Sequence, residues 1–231
     1  MKKGFIIAID GPLASGKGTI AKKLASRLQG IDLYTGAMYR SLALLCINSG
    51  INLENTKEVV AQLPDLTIAY VQGRILVNDA DVTEAIQDSA IAEGASVIAV
   101  IPEVRKELVK RQQEIGDEEV SRGKIVVVEG RDIGTTVFPN ASLKIYLTAT
   151  VEVRAKRRLL QYSHQENSPT YEEILAHLKK RDERDRKREI DPLAEDPEQF
   201  GYFILDNSEM NERDTIEAIL TELARRKLVH D

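Results

Sequence analysis

The chain has 231 residues, enough for one large domain or two small ones and ample for a buried core. Its 32 Lys and Arg against 37 Asp and Glu leave a net charge of −5, which excludes a general nucleic-acid coat. Cys46 is the lone cysteine, so an intramolecular disulfide and a multi-cysteine zinc site are excluded, and a reducing cytoplasm is the expected location.

The start Met1-Lys2-Lys3 imitates a signal peptide, but the apolar run after it is too short and ends in Asp10. No window approaches a membrane span, so no membrane partner is expected. Phe5-Ile6-Ile7-Ala8-Ile9 reads as a buried parallel strand. From Thr19 onward Ile20, Leu24 and Leu28 recur at helical spacing, and Gly30 reads as the stop of that helix. Between strand and helix lies Asp10-Gly11-Pro12-Leu13-Ala14-Ser15-Gly16-Lys17-Gly18-Thr19. Glycines before and after a short curl, then a lysine and a helix, make a phosphate-binding loop. The glycines let successive N–H groups turn toward an anion, the helix start adds unpaired N–H groups, and Lys17 supplies a point charge. Gly18 stands where a Mg²⁺-ligating hydroxyl is usual. Thr19 is therefore expected to reach a phosphate or the metal's water shell, and no side chain is assigned as a direct metal ligand.

Ile31 to Thr35 is a short strand candidate, and Gly36-Ala37-Met38-Tyr39-Arg40 opens an apolar helix to about Asn48. Arg40 lies in its first turn, where a cation is electrostatically disfavoured. It either waits for an anion or is a solvated surface arginine. Thr56 to Leu63 reads as a short helix ended by Pro64. Leu66–Val71 and Arg74–Asn78 flank Gln72-Gly73 as a β-hairpin that interrupts the strand-helix rhythm, an insertion on the main sheet. Asp81-Val82-Thr83-Glu84 reads as a strand-to-helix switch. Ser89 to Val100 is small and apolar, suited to close packing. Pro102 starts a further helix whose Arg105, Lys106, Lys110 and Arg111 read as a charged surface.

Lys124-Ile125-Val126-Val127-Val128-Glu129 is a second buried strand. It runs into Glu129-Gly130-Arg131-Asp132-Ile133-Gly134-Thr135, at the kind of strand end where open parallel sheets bind ligands. Ser142 to Thr148 is a third inner strand, followed by a helix from Val151 to Tyr162 with the basic run Arg154, Lys156, Arg157 and Arg158. A polar loop from Ser163 leads to a capped helix start at Ser168–Glu173. Farther along that helix Arg181, Asp185 and Arg188 fall within roughly 60° of one another. Either they bind an anion, or they belong to a solvated face held by i,i+4 ion pairs. Tyr202–Asp206 is the last strand, and Thr215 to Leu228 the last helix. His164, His177 and His230 are scattered and are expected to play no catalytic part. Five inner strands alternating with helices give an α/β doubly wound sheet. A phosphate loop with many arginines and no nucleophile-base pair suits phosphoryl transfer, in which the protein positions groups and neutralises charge.

These residues resemble bacterial cytidylate kinases over nearly the whole chain. The resemblance is carried by the phosphate loop, by Thr35-Gly36-Ala37-Met38-Tyr39-Arg40, by Glu129-Gly130-Arg131-Asp132-Ile133-Gly134-Thr135, and by Arg181-Asp182-Glu183-Arg184-Asp185-Arg186. It implies a P-loop nucleoside monophosphate kinase fold: a five-stranded parallel sheet flanked by helices, a small β-containing acceptor insert and a short helical lid. It implies one domain over 1–231, with an acceptor region at about 36–105, an insert at 65–79 and a lid at about 158–190. The implied reaction moves the ATP γ-phosphoryl group to CMP or dCMP, in pyrimidine nucleotide metabolism, with Mg²⁺ carried on ATP. By position, Gly11, Pro12, Leu13, Ala14, Ser15, Gly16, Lys17, Gly18 and Thr19 would hold ATP. Thr35, Arg40 and Arg131 would line the acceptor phosphate. Ser96, Arg105 and Asp132 would read cytosine, and Arg181, Asp185 and Arg188 would contact the acceptor's sugar and phosphates. Lys17, Arg131, Arg181 and Arg188 would be the catalytic cations. The expected assembly is a cytoplasmic monomer.

Overall fold

A computed structural model describes residues 4–71, 73–162 and 168–229. Residues 1–3, Gln72 of the expected hairpin turn, the polar stretch 163–167 with His164, and His230 with Asp231 lie outside the described residues. The chain divides into two compact units, Met1–Leu33 with Gly116–Asp231, and Tyr34–Ile115. The first unit opens with β1 (Phe5–Asp10), α1 (Lys17–Arg27) and β2 (Ile31–Tyr34). The second carries α2 (Thr35–Asn48), α3 (Thr56–Ala61), β3 (Ile68–Val71), β4 (Arg74–Val77), β5 (Ala80–Asp81), α4 (Ser89–Ile98) and most of α5 (Pro102–Ser121). The chain returns to the first unit with β6 (Ile125–Gly130), β7 (Leu143–Thr148), α6 (Val151–Tyr162), α7 (Tyr171–Lys187), β8 (Phe203–Asp206) and α8 (Glu212–Arg225).

The first unit is built on the expected five-stranded parallel sheet, in the order β2-β6-β1-β7-β8. β1 lies at its centre, with Ile7 opposite Val127 on one side and Leu143 on the other. All three side chains are fully buried, as a strand covered on both faces requires. Ile20 and Leu24 of α1 and Ile219 and Leu223 of α8 join the same core cluster, so the apolar stripes of these two helices close over β1 and β7.

Two helix boundaries differ from the sequence reading. The left-handed residue ending α1 is Gln29 (φ 54), not Gly30. Gly30 is required for another reason: a Cβ there would stand 2.3 Å from the Ile125 carbonyl oxygen. Helix α8 begins at Glu212, earlier than Thr215, because the Asn211 side chain accepts from the Asp214 N–H at 2.9 Å and caps it.

In the second unit α2 packs on α4, and Gly94 keeps the crowded side of α4 clear of Leu53 and Ala43. β3, β4 and β5 form a separate antiparallel sheet whose Ile75 packs with Ala37 and Ile86. Asp81 closes a third short strand opposite Leu76, and the 3-10 turn Ala85–Gln87 follows, so the strand-to-helix switch falls where the sequence places it. Arg111 is more than a charged surface. Its guanidinium donates to the Leu66 carbonyl at 2.5 Å and the Leu63 carbonyl at 3.1 Å, anchoring α5 to the segment that enters β3.

Candidate active site

In the first unit the chain leaves β1 through Gly11 at φ 149. A Cβ at that position would lie 2.0 Å from the Leu147 carbonyl oxygen, so only glycine lets the loop pass β7. Ala14 (φ 61) and Gly16 (φ 94) are left-handed, and the loop ends where α1 starts at Lys17, two residues before the sequence pattern suggested. Lys17 is 5% exposed and donates to the Pro12 carbonyl at 2.7 Å and to Ser15 Oγ at 3.4 Å. Burial, and then the Arg131 guanidinium, lower its ammonium to about 7, with Glu129 pulling the other way. From the far side Asn207 Nδ2 donates to the Ser15 carbonyl at 3.1 Å, and Arg157 fixes Asn207 through its side-chain and main-chain oxygens at 2.9 and 2.7 Å.

The turn after β6 hangs on the last residue of β1. Asp10, 1% exposed, accepts from the N–H groups of Ile133 (2.9 Å) and Gly134 (2.8 Å) and from the Tyr202 hydroxyl (2.7 Å). Burial outweighs these three donors and pushes the carboxyl up to about 6. This fixes Arg131 and Asp132 relative to the phosphate loop. Arg131 Nε donates to Asp185 Oδ2 at 2.7 Å, and Arg181 Nε to Asp185 Oδ1 at 3.2 Å, so one carboxylate of α7 bridges two guanidiniums. Burial would raise Asp185, but Arg131 and then Arg181 outweigh it and hold the carboxyl below its ordinary range. Arg188, just past the end of α7, pairs with Asp132 Oδ1 at 3.0 Å and donates to the Asp191 carbonyl at 2.6 Å. Arg131, Arg181 and Arg188 therefore stand in contact with carboxylates, Asp185 for the first two and Asp132 for the third.

Two more carboxylates lie near the loop. A Cβ on Gly18 would stand 3.8 Å from Glu129 Oε1. Asp32 on β2 has a buried Oδ1 with no hydrogen-bond partner, and burial followed by the Glu129 charge raises it to about 7. Among the described residues no group of three or more His, Cys, Asp or Glu could hold a metal ion. Thr19 is exposed, in the first turn of α1.

Thr35, Arg40, Ser96 and Arg105 belong to the second unit. Thr35, 4% exposed, opens α2. Arg40 donates to the Ile86 carbonyl at 2.9 Å and to Gln87 Oε1 at 3.3 Å, with its guanidinium 5.5 Å above the Tyr34 ring. It is a held cation rather than a freely solvated one. Ser96 on α4 and Arg105 on α5 are 4% and 3% exposed, and Arg105 Nη1 donates to the Ala99 carbonyl at 3.5 Å. A buried Arg105 departs from the charged surface read in the sequence of α5. Sequence reasoning gave no role to Asp10, Asn207, Tyr202, Arg154 or Asp182. For Asp10 the available signal was a carboxylate ending a fully apolar strand, a position that burial disfavours unless donors meet it.

A family model described as cytidylate kinase matches residues 7–225. A cytidylate kinase of Thermotoga maritima is 44% identical over 228 residues, covering 97% of this chain and 99% of that protein. One from Neisseria gonorrhoeae is 39% identical over 220 residues, 95% and 97% of the two chains. Among solved structures, a gluconokinase from Sinorhizobium meliloti superposes with a TM-score of 0.52 at 14% identity, over 97% of this chain and 94% of that one. A shikimate kinase from Bacteroides thetaiotaomicron gives 0.50 at 12% identity, over 97% and 99%, a likeness of fold alone. With the match running through the phosphate loop, the 129–135 turn and the arginine-bearing α7, the chain belongs to the cytidylate kinase family.

Proposed function

We propose that the protein transfers the γ-phosphoryl group of ATP to CMP or dCMP, giving the diphosphate and ADP, with the residues in the following roles. Gly11 to Thr19 hold the ATP phosphates, and Lys17 neutralises charge on the outer ones. Arg131, Arg181 and Arg188 stabilise the transferring phosphoryl group, which spreads negative charge over its oxygens in the transition state. The unit Tyr34–Ile115 supplies the acceptor region, with Thr35 and Arg40 toward the acceptor phosphate and Ser96 and Arg105 toward the base. Asp132 accepts from the exocyclic amine of cytosine while Arg105 donates to its acceptors. Uracil would set a carbonyl against the carboxylate, and a site built on such a bond rejects the wrong partner strongly.

The observation that carries this reading is the geometry of the phosphate loop: Gly11, Ala14 and Gly16 at positive φ curl it onto the start of α1, with the Lys17 ammonium buried inside the curl. Mg²⁺ enters with ATP. The unpartnered Asp32 Oδ1 beside Glu129 fits a hydrated Mg²⁺, which binds through one or two carboxylates plus substrate phosphates rather than an all-protein cage. Glu129 and Asp32 would hold its waters, and the ion would neutralise charge on the β- and γ-phosphates. The protein is expected to act in the cytoplasm as a monomer, in pyrimidine nucleotide metabolism. Coupled turnover with CMP, dCMP, UMP and AMP at fixed ATP tests the assignment. Preference for the two cytidine nucleotides is expected, and AMP preference or absence of any turnover refutes it.

A further inference from the structure

We infer that Asp182 is a positioning residue for the phosphate loop, acting with Arg154, a role that rests on the assignment of that loop to ATP. Leu13 lies at the middle of the loop, and both of its main-chain polar groups are gripped by side chains from the two helices α6 and α7. Its N–H donates to Asp182 Oδ1 at 3.4 Å. Its carbonyl accepts from Arg154 Nη1 at 2.9 Å. Arg154 Nη2 pairs with Asp182 Oδ2 at 2.7 Å, and Arg154 Nε donates to the Ala149 carbonyl at 3.0 Å. The guanidinium thus places a nitrogen on each of three acceptors, and each carboxylate oxygen has a donor. The two side chains are 5% and 10% exposed, so water does not compete.

The next residue gives this clamp its purpose. Ala14 sits at φ 61, a conformation that an L-residue with a Cβ holds only when its surroundings over-determine it. Fixing the Leu13 peptide one residue earlier supplies that constraint. Leu13 and Ala14 also pack on Ala155, Ile174 and Leu178, so apolar contact from the same helix pair reinforces the hold. Asp182 lies one turn before Asp185 on α7, and Asp185 holds Arg131 and Arg181. One face of one helix therefore sets both the curl of the ATP loop and the cations beside it. An ion pair serving stability alone would need neither contact to Leu13.

Kinetics of Asp182→Asn separate the two roles. The amide keeps the shape but turns a donor or a neutral oxygen toward Arg154. The KM for ATP is expected to rise about tenfold, the size of a lost charge-assisted hydrogen bond, while the KM for CMP stays within about twofold. Adding Ala14→Gly removes the steric demand at φ 61 and is expected to recover most of the ATP KM while leaving the melting temperature lowered. A native ATP KM in Asp182→Asn, equal rises for ATP and CMP, or failure of Ala14→Gly to recover it overturns the positioning role. If Asp182→Asn does not fold, Arg154→Lys keeps the charge while dropping the fork to Leu13 and Ala149, and the same ATP-selective rise is required. Lys17→Ala runs alongside. Near-native transfer there means that the loop assignment itself is wrong, whereas abolished transfer with a native ATP KM in the clamp variants refutes only the clamp.

Discussion

Asp10 allows a test in which electrostatics and packing separate by pH. Its carboxyl is raised from 3.8 to about 6, chiefly by burial, and it is 1% exposed, so solvent screening does not dilute the effect. Between those two values the folded state holds more protons than the unfolded chain, so this group's contribution to stability is present at low pH and lost as pH rises through about 6. The full difference is about 3 kcal/mol, and about 1.4 kcal/mol of it falls between roughly pH 5 and pH 7.5. Asp10→Asn does not titrate and offers one acceptor oxygen to donors that met two. Urea unfolding of both proteins at the two pH values cancels the other titrating groups. The stability of the native protein relative to the variant should drop by about 1.4 kcal/mol on going from pH 5 to pH 7.5. Parallel curves, or a relative gain with rising pH, would refute the claim that burial dominates the three hydrogen bonds.

Lys17→Ala should lower kcat by roughly a hundredfold or more while leaving the unfolding midpoint nearly unchanged, because a buried ammonium contributes little net stability. A near-native rate in the coupled assay would remove the lysine from the mechanism. Asp132→Ala should cut the CMP-over-UMP ratio of kcat/KM by roughly ten- to a hundredfold, the worth of a hydrogen bond to a charged group. Equal losses with both acceptors, measured side by side, would exclude base reading. Gly11→Ala should destabilise by about 2 kcal/mol or more, a fall in Tm of roughly 4–8 °C, because its Cβ meets the fixed Leu147 carbonyl and φ is unfavourable. An unchanged melting curve would mean that the loop can retreat from β7.

The sheet was legible because β1 and β6 are covered on both faces, and near-continuous Ile and Val runs are the mark of that burial. The phosphate loop was legible because its backbone demands glycine at Gly11 and Gly16. Glycine has more than one use, however. Gly30 looked like a helix stop because sequence does not separate a glycine needed for φ from one needed for close approach, and Gln29 makes the left-handed turn instead. Arg111 and Arg154 were opaque for a different reason. On a helix they look like solvated charge, and the carbonyls that hold them, at Leu66 and Leu13, come from segments 45 and 141 residues away. β5 was too short to have a period at all.

Asp185 has a consequence for how the protein meets its substrates. If Arg131 and Arg181 bind phosphate as proposed above, a phosphate arriving there trades places with a resident carboxylate, because Nε of each already donates to Asp185. Substrate entry is then anion exchange. The attraction between ligand and guanidinium is offset by the bond surrendered to Asp185, which keeps nucleotides from binding too tightly to leave, and it makes binding less sensitive to ionic strength than a tally of the arginines would suggest.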